Sequence, residues 1–412
     1  MAKFFYTVRD SRGVKHSGTE EGTNEEDVVS RLQAKGFLVV GLVHESKQSA
    51  AGLQADKTPT SRGKFKHYGV SGDDLVLFCR QLATLLGAGV TILKSVDIIC
   101  LQISSRGLYK VLKKVSSDMQ AGLSLHEALS RHPQVFSELW VNLVESGEAS
   151  GNLAMVLSRL AGYLERNAAF RRRIISALLY PIILMVAGLG ALLFLTLKII
   201  PTFAELFKGF NVELPFLTKV LISFSEGLRH SFLFIIVVAV LGGYLLRKYL
   251  KTRKGRRQYE ELLFKSPIFG DFIKGLVVER FSSEMSTLVE SGVPILYSLE
   301  IAEHSVGNLV MADIIHQIKE DVRDGKPLSY PLEKSNFFEP MVIQMVAIGE
   351  EIGELPQMFK KINLFYQEYV ETFLTRFASM FEPIMLIVMG VIIGVIVIGM
   401  FLPIFSISRI GG

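Results

Sequence analysis

Two glutamate-bearing turns are the strongest candidates for chemistry in this chain of 412 residues. The segment GEASG occupies residues 147–151, and the related segment GEEIG occupies residues 349–353. Carboxylates grouped at a turn can attract a basic partner surface, hold a hard cation such as calcium, or favour the N-terminus of the next helix. Too few oxygen ligands accompany them to predict a cation site. The partner-binding candidates are therefore Glu145, Glu148, Glu350, Glu351 and Glu354, and helix capping remains the alternative.

Glycine and proline residues at matching places suggest structural roles. The glycines of the two segments, Gly147, Gly151, Gly349 and Gly353, are expected in helix-to-helix turns or close contacts. Further along, an apolar stretch contains Gly390 and Gly394, a GxxxG spacing that allows a partner helix to approach closely. We predict turn or helix-packing roles for these six glycines and for Pro181 and Pro383.

The chain shows no sign of an enzyme site. GK occurs only before Phe and Pro, so no phosphate-binding loop is present, and HExxH, CxxC and GxSxG are absent. The eight histidines are scattered, and the two cysteines, Cys79 and Cys100, are most simply small core residues. We predict no catalytic residue, no metal and no cofactor, and hence a protein that is not an enzyme.

The composition places much of the chain in a membrane. Hydrophobic residues make up 49% and charged residues 21%, which is too apolar for an ordinary soluble protein of this size. Uncharged stretches occur at 174–197, 231–246 and from 383 to 408. About 20 apolar residues cross a bilayer, so three membrane helices are expected. The second stretch is short, and a buried helix is its alternative.

Clusters of basic residues give the orientation. They flank the first two apolar stretches on the sides away from the 201–230 loop, and the residues predicted to orient the chain are Arg171, Arg172, Arg173, Arg247, Lys248 and Lys251. Their position favours lipid headgroups over nucleic acid. The predicted orientation places the N-terminus in the cytoplasm and the C-terminus on the opposite side of the membrane.

An internal repeat organises the chain. FCRQLATL at 78–85 recurs as FSSEMSTL at 281–288, an offset of 203 residues, and the two glutamate segments are related by an offset of 202. Each copy is predicted to form a helical bundle that leads into a membrane helix. The second membrane helix returns the chain to the side on which the first copy began, so the two copies have the same orientation in the membrane, which is a parallel repeat. Pro181 and Pro383 are equivalent within it. Capping boxes are expected at the helix starts Ser71–Asp74 and Ser124–Glu127, and in the N-terminal module at Thr23–Glu26, which follows a turn expected at residues 10–13.

The predicted fold class is mainly α, with two repeated cytoplasmic antiparallel helix-bundle domains, three transmembrane helices and a small N-terminal α+β module of ββαβ order. The expected segments are a docking module at 1–44, a flexible linker at 45–70, bundles at 71–173 and 276–380, membrane helices at 174–200, 231–247 and 381–405, a periplasmic loop at 201–230, a basic connection at 248–275 and a periplasmic tail at 406–412.

Several segments together resemble one family, the inner-membrane platform proteins of bacterial type II secretion and type IV pilus systems. The resemblance covers almost the whole chain. It rests on FFYTVRDSRG near the N-terminus, FCRQLATLLGAGV at 78–90, VESGEASGNL at 144–153, LLYPIILMV at 178–186, IGEEIGELPQMF at 348–359 and FEPIMLIVMG at 381–390. Ile352 departs from the family pattern, where Ser or Thr is expected.

The resemblance implies a location in the bacterial inner membrane, with the N-terminus in the cytoplasm and the C-terminus in the periplasm, and a non-enzymatic role in protein secretion or pilus biogenesis. Such a protein couples a separate cytoplasmic ATPase to the membrane and helps pilin or pseudopilin subunits to enter a growing filament. Its implied partners are that ATPase, the pilin or pseudopilin, other inner-membrane assembly proteins, the lipid bilayer and further copies of itself. Charge reversal at Glu148 and Glu350 is expected to abolish filament assembly. A transporter or channel subunit is the alternative function, and an embedded hydrolase would need a nucleophile that the motif search did not find.

Overall fold

The computed structural model describes residues 2–9, 15–44, 65–209 and 214–410. The chain divides into two compact units, Met1–Arg62 and Gly63–Gly412. Helices dominate, a small antiparallel sheet lies near the N-terminus, and the predicted fold class is confirmed.

The N-terminal unit has the predicted ββαβ order. Its elements are β1 (Ala2–Arg9), β2 (Lys15–Gly22), α1 (Glu25–Ala34) and β3 (Leu38–His44). The central strand β1 pairs antiparallel with both neighbours, and its register with β3 shifts after Thr7. Phe4 and Val8 of the sheet bury against Val28 and Leu32 of α1, which is the burial expected when one sheet face packs on one helix stripe.

The start of α1 differs from the prediction. The sequence Thr23-Asn24-Glu25-Glu26 suggests a capping box between Thr23 and Glu26, but the backbone N–H and the hydroxyl of Thr23 both bond the carboxylate of Asp27. These bonds lower the pKa of Asp27. The predicted turn at residues 10–13 lies outside the described residues.

The second unit contains both copies of the repeat. In the first copy the helices are α2 (Gly72–Gly87), α3 (Ile92–Gln102), α4 (Arg106–Gln120), α5 (Leu125–Ser130), α6 (Glu138–Ala149) and α7 (Leu153–Phe194). A π-helical turn (Leu195–Ile199), α8 (Ile200–Gly209), α9 (Phe216–Leu250) and α10 (Arg253–Phe264) follow. The second copy comprises α11 (Gly270–Glu290), α12 (Ile295–Ser305), α13 (Leu309–Arg323), α14 (Ser329–Lys334), α15 (Pro340–Glu351) and α16 (Leu355–Ile410). The helices α2–α7 thus correspond one by one to α11–α16.

Side-chain caps fix the helix starts of the first bundle. Ser71 with Asp74, and Ser124 with Glu127, form the two reciprocal capping boxes that the sequence predicts at the starts of α2 and α5. Behind these caps, apolar faces of all six helices meet in one core around Phe78, which stacks on the Trp140 ring.

The end of the predicted linker is structured. The Lys66 N–H donates to the Ser104 carbonyl at 2.9 Å, and the Arg106 N–H donates to the His67 carbonyl at 3.0 Å. The Phe65 ring lies 5.3 Å from that of Tyr109. The residues from 65 onward therefore belong to the first bundle, because these bonds satisfy backbone groups at the start of α4. The rest of the predicted linker up to residue 64 lies outside the described residues.

Three helical rods are long and apolar enough to cross a membrane. The first joins α7, the π-helical turn and α8, and at 1.5 Å per residue it is about 85 Å long. The second is α9, whose apolar stretch is exposed on all sides, so the alternative of a buried soluble helix is wrong. The third is α16. The predicted 201–230 loop is largely helical, because α8 and the first turns of α9 occupy it.

Hydroxyl groups join the membrane helices. Thr218 on α9 donates to the Gly399 carbonyl of α16 at 2.5 Å, and Ser225 donates to the Thr196 carbonyl in the π-helical turn. A π turn widens the backbone hydrogen-bond pattern and leaves a carbonyl available for such a partner. The first turns of α9 are therefore held against both the first and the third of these helices.

Candidate functional site

Glu148 in the first glutamate turn faces inward to cap a helix. Its carboxylate accepts from the Leu125 N–H at 2.8 Å and the His126 N–H at 3.1 Å. It also bonds His126 Nδ1 at 2.7 Å. Ser124 accepts from the Glu127 N–H, so the two side chains together satisfy the free amides at the start of α5.

Glu350 occupies the equivalent place in the second copy with fewer bonds. Its carboxylate accepts from the Leu328 N–H at 2.9 Å, and Leu328 is equivalent to Leu125 by the 203-residue offset. Ser329 takes the place of His126, so the imidazole contact is missing from the second copy. Both glutamates therefore bond amides at a helix start, but at the starts of the earlier helices α5 and α14 and not at the next helix, which the structural alternative from the sequence names.

The glycines of the two turns have matching geometry. Gly151 and Gly353 have φ angles of 71° and 72°, in the left-handed region that favours glycine. At Gly147 a Cβ would lie 3.1 Å from the Leu153 Cα, and at Gly349 one would lie 2.8 Å from a Met358 side-chain atom. Each turn therefore uses one glycine for its backbone conformation and one for close helix contact.

The other three glutamates are exposed. Glu145 approaches the Tyr297 hydroxyl. The pKa of Tyr297 is raised mainly by burial and secondly by the negative charge of Glu145. Glu351 and Glu354 are exposed and make no side-chain hydrogen bond or ion pair with any other described residue. Ile352 beside them is also exposed. The second turn therefore presents free carboxylates next to an apolar side chain.

The two copies pack against each other through α6 and α7 of the first and α11, α12 and α16 of the second. Tyr297 donates to Asn142 Oδ1 at 2.8 Å, and the Arg159 guanidinium donates to the Glu290 carbonyl at the end of α11. Three apolar residues of the second copy join the core of the first, namely Leu288, Val293 and Ile301. The two copies are therefore packed together as one unit with a shared hydrophobic core.

A cleft of about 770 Å³ opens between the copies and contains a buried carboxylate. Glu284 on α11 accepts from Arg280 Nε at 3.2 Å, Ser305 Oγ at 2.5 Å and the Tyr163 hydroxyl at 3.4 Å. Burial raises the pKa of Glu284, while the Arg280 charge opposes that rise. The group links both copies because Tyr163 belongs to the first.

A second buried carboxylate lies one turn earlier on α11. Glu279 Oε1 accepts from Asn363 Nδ2 and from Gln367 Nε2, each at 2.9 Å, which ties α11 to α16. Burial raises the pKa of Glu279 as well. In the first copy the equivalent residues are Val76 and, for Glu284, Gln81. The buried charges therefore distinguish the second copy from the first.

The sequence prediction missed these two glutamates. Glu284 lies three residues after Phe281 and four before Leu288, so it shares the apolar face of α11. A charge on a helix face that otherwise reads as core is the signal that identifies such a residue. The equivalent residue of the first copy, Gln81, is uncharged, so the charge at Glu284 is specific to the second copy, which strengthens that signal.

The predicted basic and membrane residues are placed as follows. Arg172 pairs with Asp73 at 2.8 Å and Arg173 with Glu371 at 2.7 Å, so both tie elements of the bundles together. Arg171 lines a second part of the cleft between the copies. The remaining predicted orienting residues, Arg247, Lys248 and Lys251, lie at the end of α9.

The predicted proline and glycine positions of the membrane helices are all inside helices. Pro181 is buried in α7 and Pro383 is exposed in α16, so neither forms a turn. A Cβ at Gly390 or Gly394 would meet no described atom within 4 Å, so this GxxxG makes no close contact inside the described chain. Among the described residues no cluster of three or more His, Cys, Asp or Glu could hold a metal ion.

Comparison with known proteins accounts for this duplicated architecture. Residues 78–201 and 281–403 each match the family described as "Type II secretion system (T2SS), protein F". Residues 1–42 match its N-terminal domain. The chain belongs to the type II secretion system protein F family. The two matched ranges begin 203 residues apart and end 202 apart, which is the repeat read from the sequence.

Relatives within the family carry pilus and secretion names. The "Type IV pilus assembly protein PilC" of Thermus thermophilus is 38% identical over 99% of this chain and 98% of its own length. The PilC of Myxococcus xanthus is 32% identical over 99% of this chain and 95% of its own. The "Type II secretion system protein F" of Pseudomonas aeruginosa is 32% identical over the full length of both. The resemblance found in the sequence is confirmed.

Proposed function

We propose that this chain is an inner-membrane platform protein of a type IV pilus or type II secretion machine. In this role it couples a separate cytoplasmic ATPase to the assembly of pilin or pseudopilin filaments. The N-terminus and both bundles lie in the cytoplasm, and the hairpin between α8 and α9 and the C-terminus lie in the periplasm. The relatives named for pilus assembly and secretion support the role, and the basic clusters at the helix ends support the orientation.

The uninterrupted path from bundle to bilayer is the observation that carries this proposal. The helices α7 and α16 each begin in a bundle core and continue as one rod through an apolar stretch. No loop interrupts the helix between bundle and membrane, so a displacement of the bundle is transmitted along the helix, although Pro181 and Pro383 each remove one backbone hydrogen bond where a bend can occur. Force applied by a cytoplasmic motor can reach the membrane in this way.

The free carboxylates of the second turn are the proposed contact for a basic partner surface. Glu351 and Glu354 are exposed and unpaired among the described residues, whereas Glu148 and Glu350 are occupied by helix amides. Charge complementarity at such a rim sets association rate and specificity. The ATPase and the other assembly proteins are the proposed partners, and the membrane helices are proposed to guide the pilin helix.

Charge reversal with a matched control tests this contact. The double variant Glu351→Lys, Glu354→Lys is expected to reduce capture of the ATPase from membranes and to abolish filaments, with normal membrane levels. The control Asp324→Lys, Glu333→Lys makes the same change of charge at exposed residues of the same bundle. Normal filaments in the first variant would remove the acidic-contact hypothesis.

Orientation and role are tested separately. Reporter fusions after residue 44 and in the α12–α13 connection should report a cytoplasmic location, and a fusion at the C-terminus should report the periplasm. Loss of filaments or secretion on deletion of the gene, restored by the native chain, supports the platform role. Flux of a solute through liposomes containing only this protein would favour a transporter instead.

A further inference from the structure

A cavity of about 360 Å³ lies between the first rod and α9, at the end of these membrane helices that is far from the bundles. Its lining includes three charged side chains, Lys198 in the π-helical turn, Glu205 on α8 and Arg229 on α9. Leu197 and Phe232 line it as well. The cavity thus combines charges of both signs with apolar side chains, and its volume is in the range that proteins use for small ligands.

The three charges are unpaired within the part of the chain that the structure describes. Lys198, Glu205 and Arg229 make no side-chain hydrogen bond or ion pair with any other described residue. At the bundle end of the first rod, by contrast, Arg172 and Arg173 are both held in ion pairs. Opposite charges that line one cavity without bonding each other are available to a ligand that carries both charges.

The two cations lie at the height of lipid headgroups. The first apolar stretch begins at residue 174, and the second ends at residue 246, both at the bundle side. Lys198 is 24 residues from the first of these points and Arg229 is 17 residues from the second, which at 1.5 Å per residue gives about 36 Å and about 26 Å. The hydrocarbon core of a bilayer is about 30 Å thick, so the two residues lie on either side of its far boundary.

The directions of the helices bring the three side chains together. Side chains on a helix lean toward its N-terminus. Glu205, two turns beyond Lys198 on a rod that runs away from the bundles, therefore leans back toward the membrane. Arg229 belongs to α9, which runs the opposite way, so it leans outward. A phosphate near the boundary and an amine on its water side would meet the cations and the carboxylate respectively.

The equivalent helix of the second copy lacks these charges. By the 202-residue offset, Lys198 corresponds to Met400 and Glu205 to Ile407. That helix, α16, also continues without a π-helical turn. An apolar surface is therefore sufficient for a membrane helix at this depth, so the charges of the first copy serve something other than crossing the bilayer. Short π-helical turns such as Leu195–Ile199 occur frequently at functional sites.

Apolar surface continues from the cavity into the bilayer. The stretch of α9 that follows Phe232 is exposed on all sides, and α9 contacts the first rod mainly at the π-helical turn and α8. On the first rod, Phe194 below the cavity is exposed as well. A headgroup in the cavity would therefore leave its acyl chains beside apolar side chains of both helices, a contact that a water-soluble ligand cannot make.

We propose that this cavity binds the headgroup of one phospholipid that carries an amine as well as a phosphate, from the leaflet far from the bundles. Lys198 and Arg229 bind the phosphate oxygens, and Glu205 accepts from the ammonium group. Phosphatidylethanolamine has this headgroup. The site is separate from the basic clusters, which face the other leaflet, and the proposal is independent of the pilus or secretion role.

Native mass spectrometry of the full-length protein in detergent tests the site. The protein is titrated with phosphatidylethanolamine, phosphatidylglycerol and phosphatidylcholine that have the same acyl chains, and the dissociation constant of the first bound lipid is measured. Phosphatidylethanolamine should bind tightest, because phosphatidylglycerol has no amine for Glu205 and the quaternary amine of phosphatidylcholine has no N–H to donate. Equal affinity for all three lipids would overturn the proposal.

Removal of each cation tests the phosphate contact. Lys198→Met and Arg229→Gln should each weaken the binding of phosphatidylethanolamine about tenfold, since each removes a charge-assisted hydrogen bond. Lys198→Met introduces the side chain that the second copy has at the equivalent position, so folding and insertion should persist. The control Lys219→Gln changes an exposed residue of α9 outside the cavity and should leave binding unchanged. An equal loss in this control would show general attraction to headgroups and would overturn the site.

Removal of the carboxylate tests the amine contact. In Glu205→Gln, phosphatidylglycerol should bind at least as tightly as phosphatidylethanolamine, because the ammonium group has lost its partner. The control Glu226→Gln, at an exposed residue of α9 outside the cavity, should keep the native preference. An unchanged preference in Glu205→Gln would refute the amine contact. Glycerophosphoethanolamine, which has the headgroup without acyl chains, should not displace the lipid at equal concentration, and displacement would overturn the assignment to a lipid.

Discussion

Removal of the carboxylate of Glu148 should destabilise the first bundle about twice as much as removal of Glu350 destabilises the second. Glu148 caps two backbone amides and bonds the His126 ring, whereas Glu350 caps one amide. Loss of one capping bond typically costs about 1 kcal/mol. We therefore expect Glu148→Ala to lower the free energy of unfolding by about 2 kcal/mol and Glu350→Ala by about 1 kcal/mol.

Thermal unfolding of the purified chain in detergent measures this difference. For the unit Gly63–Gly412 the melting temperature should fall about 1.5 °C per kcal/mol, so Glu148→Ala should lower it by about 3 °C and Glu350→Ala by about 1.5 °C. Glu148→Gln keeps an acceptor oxygen and should lose less. If both alanine variants melt within about 1 °C of the native protein, capping is not the role of these residues. Loss of ATPase capture at unchanged stability would then favour the partner-binding prediction.

Three further predictions concern the bundles and the membrane hairpin. Burial raises the pKa of Glu284 in the folded protein. The native protein is therefore most stable while this carboxyl is protonated, and it loses stability as the pH rises above the pKa of the unfolded chain. Because Gln does not titrate, the melting temperature of Glu284→Gln relative to the native protein should increase between pH 5 and pH 8, and a constant difference would contradict the burial argument. Gly151→Ala and Gly353→Ala should each cost about 1 kcal/mol in chemical unfolding because of their positive φ, and equal stability with the native chain would show that these turns relax. Thr218→Val and Ser225→Ala each remove one hydrogen bond from α9 to a backbone carbonyl of another membrane helix. Each should cost about 0.6 kcal/mol in a detergent unfolding titration. Because the two bonds join α9 to different helices, the losses should add in the double variant, and unchanged stability of both single variants would contradict a stabilising role for these bonds.

Much of the architecture follows from local pattern. Apolar runs bounded by basic clusters identify the membrane helices, and repeated motifs such as FCRQLATL identify the two bundles. The capping boxes at Ser71 and Ser124 form as predicted, since their bonds join residues three apart. The family resemblance followed from the same motifs.

The candidate site was only partly predictable. The glutamate turns could be located, but the pattern could not choose between a partner surface and a helix cap, because the amides capped by Glu148 belong to residues 22 and 23 positions earlier. Glu284 was missed, since a charge within a helix reads as an exposed residue until its partners are known. Two of those partners, Tyr163 and Ser305, come from distant helices.

The amino-acid sequence alone determined which segments are helical, which enter the membrane and which are copies of each other, because these properties depend on residues within a few turns. Only the tertiary structure decided which surfaces of the two copies meet. Leu85 and Leu288 occupy equivalent positions with the same side chain, yet Leu288 alone is fully buried. Burial depends on what packs against a residue from elsewhere in the chain, and no local pattern contains that information.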